Sequence, residues 1–99
     1  MVRVNWTFQA KDYLKNIFNY ILQDSKQYAK LHVYRIKNRT NILKSQTHFG
    51  HIVKEINNKN IRELIEGKYR IIYKIVSKNQ IDILTIHHSA RDISKRNID

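Results

Sequence analysis

The sequence predicts an α+β fold: an N-terminal strand, a helical hairpin, then a three-strand antiparallel meander, with the helices packed on one face of the sheet. Three observations predict it. Apolar residues recur at three- and four-residue spacing from Phe8 to Leu22, and again after Ser25. Three runs rich in β-branched and aromatic residues follow between Ile61 and His88. Short polar turns separate those runs, which suits antiparallel neighbours. Ninety-nine residues make one domain, residues 1–99.

The elements follow in order. Val2 to Trp6 alternates apolar and polar side chains and reads as a short strand. Thr7 is placed to cap a helix over Phe8 to Leu22, whose stripe is Ala10, Leu14, Ile17, Phe18, Ile21 and Leu22. Ser25 can cap a second helix running to about Gln46, with Ala29, Val33, Ile36, Thr40 and Leu43 on one side. Thr47 to Asn60 is expected to be a loop, punctuated by Gly50 and the run Asn57-Asn58-Lys59-Asn60, with Ile52-Val53 as a brief strand. Strands are expected at Ile61 to Ile65, Tyr69 to Val76 and Ile81 to His88. Ala90 to Asn97 reads as a last helical turn or a frayed tail. The N-terminal strand must join the sheet, because its apolar face would otherwise stay wet.

Composition narrows the class. There is no cysteine, so disulfides and thiolate metal sites are excluded and a reducing cytosol is the expected compartment. No apolar run is long enough to cross a bilayer, and the N-terminus lacks a signal-peptide core, so a cytoplasmic protein without membrane contact is expected. Lys and Arg number 19 against 8 Asp and Glu, a net charge of +11. From Ser25 to Lys54, both included, Lys and Arg together number seven and there is no acidic residue. Such a field attracts polyanions, either nucleic acid or an acidic protein, although it also suits a lysine-rich solubilising surface.

No phosphate-binding glycine loop, HExxH or GxSxG occurs, and no cofactor or metal is expected. His87-His88 is a poor metal pair, since strand neighbours point to opposite faces. Within the second predicted strand of the meander, Tyr69, Ile71, Tyr73 and Ile75 share one face, while Arg70, Ile72, Lys74 and Val76 share the other. Its tyrosines are expected in the core rather than as a stacking platform. Arg70 and Lys74, beside a strand ending His-His-Ser-Ala-Arg and extended by Arg62 and Arg91, can form a basic cleft. Those residue types would serve metal-free RNA cleavage: histidine moves the proton and arginines stabilise the phosphorane. The same cations serve equally as surface partners of Glu55, Glu63, Glu66 or Asp82.

The ordered residues also carry a resemblance. Ile61-Arg62-Glu63-Leu64-Ile65-Glu66-Gly67-Lys68-Tyr69-Arg70-Ile71-Ile72-Tyr73-Lys74-Ile75, followed by Ile81 to Arg91, resembles the C-terminal half of ParE-like toxins of the RelE/ParE superfamily. Val4-x-Trp6-Thr7, Ala10-x-Asp12-x-Leu14-x-x-Ile17-x-x-Tyr20-Ile21, Ser25 to Ala29 and Gly50 to Glu55 agree with it as well, so it spans nearly the whole chain. The resemblance implies a growth-arresting toxin of a type II pair, neutralised by a cognate antitoxin with an acidic segment. It also implies two possible targets. ParE-like members inhibit DNA gyrase and cleave nothing, which the Arg-Glu-Leu and Tyr-Arg-Ile-Ile-Tyr runs favour. RelE-like members cleave mRNA on the ribosome; for that reading the catalytic candidates are His88, Arg70, Arg62 and Arg91, with Lys54, Lys59 and Lys74 contacting target. The resemblance makes His88 functional and His87 structural, while strand alternation puts His87 beside Thr85 and leaves the register open. A usual proline before the loop glycine is absent, and His51 stands where arginine is common. A basic binding module that merely shares the fold is the third reading, because fold does not determine function.

Overall fold

The computed structural model describes residues 2–88. The elements are β1 (Arg3–Trp6), α1 (Phe8–Leu22), α2 (Lys26–Arg39), a 3₁₀ turn (Thr40–Lys44), β2 (His51–Ile52), β3 (Ile61–Glu66), β4 (Tyr69–Ser77) and β5 (Gln80–His88). They form one five-stranded sheet in the order β1-β5-β4-β3-β2. β3, β4 and β5 are the antiparallel meander, and β1 lies parallel to β5, with Val4 opposite Ile81 and Trp6 opposite Ile83. The expected tail from Ala90 lies outside the described residues.

Both helices begin at caps legible in sequence. The Thr7 hydroxyl accepts from the Ala10 N–H at 3.2 Å, and Ser25 Oγ accepts from the Tyr28 N–H at 3.2 Å. Thr7 also donates to the Ile83 carbonyl at 2.7 Å, which ties the start of α1 to β5. The second helix is shorter than its apolar stripe suggested. It closes at Arg39, where the Thr40 hydroxyl donates to the Lys37 carbonyl at 2.7 Å, and a 3₁₀ turn follows. Residues three apart eclipse in that tighter helix, so Thr40 and Leu43 still face inward together.

The main core lies between hairpin and sheet. Ala10, Leu14, Ile36 and Leu43 meet Leu64, Ile71, Tyr73, Ile81, Ile83 and Ile86. Ile83 and Ile86 are three residues apart and still share this face. The pairing slips between Ile72 and Tyr73, whose partners are Thr85 and Ile83, so Leu84 is the extra residue of a bulge. The opposite face of the sheet is only partly bare. Val53 and Ile56 fold down over Ile61, Ile72 and Leu84 as a second, smaller core. Asn57, at φ 53°, turns the chain back on itself, a conformation asparagine tolerates better than most residues.

Gly50 joins the 47–50 segment to the sheet. A Cβ there would stand 2.5 Å from the Glu63 carbonyl oxygen and 2.7 Å from the Tyr73 ring, so only glycine lets the backbone approach. The buried Tyr73 hydroxyl completes this junction. It accepts from the Gly50 N–H at 3.0 Å and donates to the Thr47 carbonyl at 2.9 Å. Burial raises the Tyr73 pKa, with the Gly50 bond and the nearby Arg62 charge acting against it.

Candidate functional site

The residues singled out from the sequence lie in three places. Arg70 is on the outer face of the sheet, beside the small core, and its side chain is 10% exposed. Its Nη1 and Nη2 donate to the two Glu55 carboxylate oxygens at 2.7 and 3.0 Å. Its Nε and Nη2 donate to the two oxygens of Glu63. One guanidinium is thus gripped by two carboxylates, one from the loop and one from β3. The bonds to Glu55, and then those to Glu63, hold the Arg70 pKa above the ordinary arginine value despite its burial. His51, Ile52 and Lys54 complete the walls of a cavity of about 470 Å3 around this cluster.

Arg62 occupies the helix face near the β2 edge. It is opposite Tyr73 in register, and its guanidinium donates to the carbonyls of Lys59 at 3.0 Å and Gly50 at 2.9 Å. It stitches the two ends of the loop rather than facing Arg70, because β3 residues Arg62 and Glu63 point to opposite sides. His88 sits at the far end of the sheet. It pairs with Tyr69, their rings 6.3 Å apart in an edge-on arrangement. Tyr73 lies four steps along β4 from Tyr69, roughly 13 Å in an extended strand. The structure therefore brings Arg70 together with Lys54 but leaves Arg62 and His88 at separate stations. Lys54 and Lys59 are exposed and Lys74 is half-buried. Arg91 lies outside the described residues.

His87 is opposite Arg70 and shares the outer face with Thr85; both are buried. His88 is exposed. Of the tyrosines in β4, Tyr73 is core, while Tyr69 is half-buried and lines a cavity beside His88.

Sequence reasoning passed over a further feature, an apolar groove along the β1 edge. Trp6, Leu14, Phe18 and Val33 form its floor, and Lys11, Lys15 and Lys37 its rim, around about 380 Å3. A neighbouring hollow of about 400 Å3 shares Trp6 and Lys37 and adds Val4, Tyr34 and Lys44. No Asp or Glu lines either of them among the described residues. The available signal was the helical spacing of Lys11, Leu14, Lys15 and Phe18, which puts two lysines beside two apolar residues on one side of α1.

The architecture defines a class first: a small, strongly basic α+β domain with a helical hairpin laid on an open, mostly antiparallel sheet. A family model described as the ParE toxin of the type II toxin–antitoxin system parDE matches residues 4–93, and the chain belongs to that family. Among solved structures, a chain described as the chromosomal ParDE toxin–antitoxin system from P. aeruginosa superposes with a TM-score of 0.72. It is 21% identical, and the match covers 89% of this chain and 96% of that one. At that identity the likeness speaks for the fold. A search of curated proteins finds no match. As a member of a toxin family, the protein has a cognate antitoxin as its partner. Among the described residues no helix is long and apolar enough to cross a membrane.

Proposed function

We propose that this toxin arrests growth by binding and inhibiting DNA gyrase, without cleaving a substrate of its own. The observation that carries the reading is the separation of its would-be catalytic groups. Arg70 is saturated by Glu55 and Glu63, Arg62 is bound to backbone carbonyls, and His88 lies on the other face at the far end of the sheet. A phosphorane needs its acid, base and cations within hydrogen-bond reach of one phosphate. A rigid inhibitor needs only a complementary surface. The test is supercoiling by purified gyrase with added protein. Activity should fall as the protein approaches stoichiometry, and unaffected supercoiling at large excess overturns the proposal.

The same reading includes neutralisation by an antitoxin with an acidic amphipathic segment. The groove at Trp6 supports it, because apolar walls with a lysine rim match apolar side chains flanked by carboxylates. A second reading, ribosome-dependent mRNA cleavage, is favoured by the cavity at Arg70, where His51 and Lys54 stand beside the ion pairs. Primer extension on translated messages separates the two. New 5′ ends that vanish in Arg70→Ala and His88→Ala would support the nuclease, whereas intact messages in arrested cells support the inhibitor. Harmless expression without the partner would instead favour a binding module that shares the fold.

A further inference from the structure

A cavity of about 780 Å3 shares only His88 with the residues weighed above for cleavage. It opens where the end of α1, the middle of α2, the β3–β4 turn and the end of β5 converge. Its volume is that of a small-ligand site. Its chemistry is aromatic and cationic together: Tyr20, His32, Arg35, Lys68, Tyr69 and His88 line it.

The rings form a continuous series. Tyr28 stands 6.0 Å from His32, His32 stands 6.5 Å from Tyr69, and Tyr69 stands 6.3 Å from His88, centroid to centroid. The series crosses from α2 through β4 to β5, so its spacing is set by packing of the helix on the sheet. At the mouth Tyr20 is 73% exposed, which leaves its ring free to receive another flat group. Arg35 is exposed beside it, with the planar donors that suit a phosphate, and Lys68 stands at the turn. Glu66 is the one carboxylate among the described lining residues. The two fixed cations, Arg35 and Lys68, outweigh it.

From this arrangement we infer that the cleft binds single-stranded nucleic acid, stacking a base on Tyr20 and Tyr69 while Arg35 and Lys68 hold the adjoining phosphate. Sequence-tolerant single-strand sites combine a cationic track with aromatic platforms in this way. In a duplex each base face is already covered by its stacked neighbours, so a duplex offers no free face to this site. The inference concerns binding alone and does not depend on the gyrase reading, since its test involves neither gyrase nor growth.

The test is fluorescence anisotropy of the full chain with labelled U8 and dT8 oligonucleotides. Saturable binding is expected, weakened at least about 5-fold by Tyr20→Ala, from the worth of one stacked base. Arg35→Ala should weaken it too and reduce the slope of log affinity against log salt by about 0.7. Phe8→Ala and Lys78→Ala remove an exposed ring and an exposed cation elsewhere, and should change affinity less than 2-fold by comparison. All four positions are exposed, so circular dichroism should show an unchanged fold. Preference for U8 or dT8 tells whether the strand is RNA or DNA, and either supports the site. Three results overturn it: no saturable binding, equal losses in the remote controls, or tighter Tyr20-dependent binding of a glutamate-rich peptide than of either oligonucleotide.

Discussion

Replacing Arg70 by alanine should destabilise the domain by about 3 kcal/mol. Among the described residues, the guanidinium makes four charge-assisted hydrogen bonds, two to Glu55 and two to Glu63. Each such bond contributes about 1.5–3 kcal/mol in isolation, but bonds that share one donor group do not add. Removing the arginine leaves two carboxylates facing each other with side-chain exposures of 25% and 13%. Breaking a buried pair from one side costs about 3–5 kcal/mol, and the partial exposure of Glu55 places this case at the lower end. For a domain of this size the melting temperature should fall by roughly 12–24 °C. Arg70→Lys keeps the charge but not the planar fork, and should lie between the two. Urea unfolding followed by the fluorescence of Trp6, the single tryptophan, supplies the measurement. The decisive control replaces all three residues together, Arg70→Met with Glu55→Leu and Glu63→Leu. It should recover most of the loss, because the cost comes from the stranded carboxylates. An Arg70→Ala variant within about 0.5 kcal/mol of the parent would refute the reasoning and mark the cluster as a loose surface contact.

Other predictions follow from the same contacts. Gly50→Ala should cost at least about 2 kcal/mol in urea unfolding, because a Cβ would strike the Glu63 carbonyl and the Tyr73 ring. Tyr73→Phe strands the Gly50 N–H and the Thr47 carbonyl and should cost about 1–3 kcal/mol. Tyr73 has a raised folded pKa, so its contribution is full below the unfolded value of 10.0 and is lost as pH rises above it. The stability gap between parent and Tyr73→Phe should therefore narrow above pH 10, and a gap that is flat from pH 8 to 11 contradicts this. Thr7→Ala removes both the helix cap and the tie to Ile83, and should lower stability by about 1–2 kcal/mol without moving the helix boundary seen by NMR. Lys15→Glu combined with Lys37→Glu should weaken capture by the cognate antitoxin at least about 10-fold at low salt, with the difference shrinking as salt rises; calorimetry across salt concentrations reads it.

Much of the architecture was determined by local sequence. Thr7 and Ser25 announce the helix starts because a hydroxyl can accept an orphan backbone N–H from its own neighbourhood. The three meander strands appear within a residue or two of their expected bounds, since β-branched runs between polar turns have few other ways to pair. Alternation placed Tyr73 with Ile71 and His87 with Thr85, because strand period is a property of the backbone. Only the tertiary structure decided the rest. That β1 lies parallel against β5 depends on an edge 77 residues away, where no short-range signal reaches. The bulge at Leu84, which turns Ile86 back to the helix face, arises from the pairing of two strands. The state of the arginines depends on it most. As a residue type Arg70 suits phosphate and carboxylate equally, and the loop that brings Glu55 over β3 chooses the carboxylates. Arg62, Arg70 and His88 read as one basic strip along the sequence. Folding spread them over two faces and two ends of a sheet, because neighbouring strand residues diverge and side-chain reach is short.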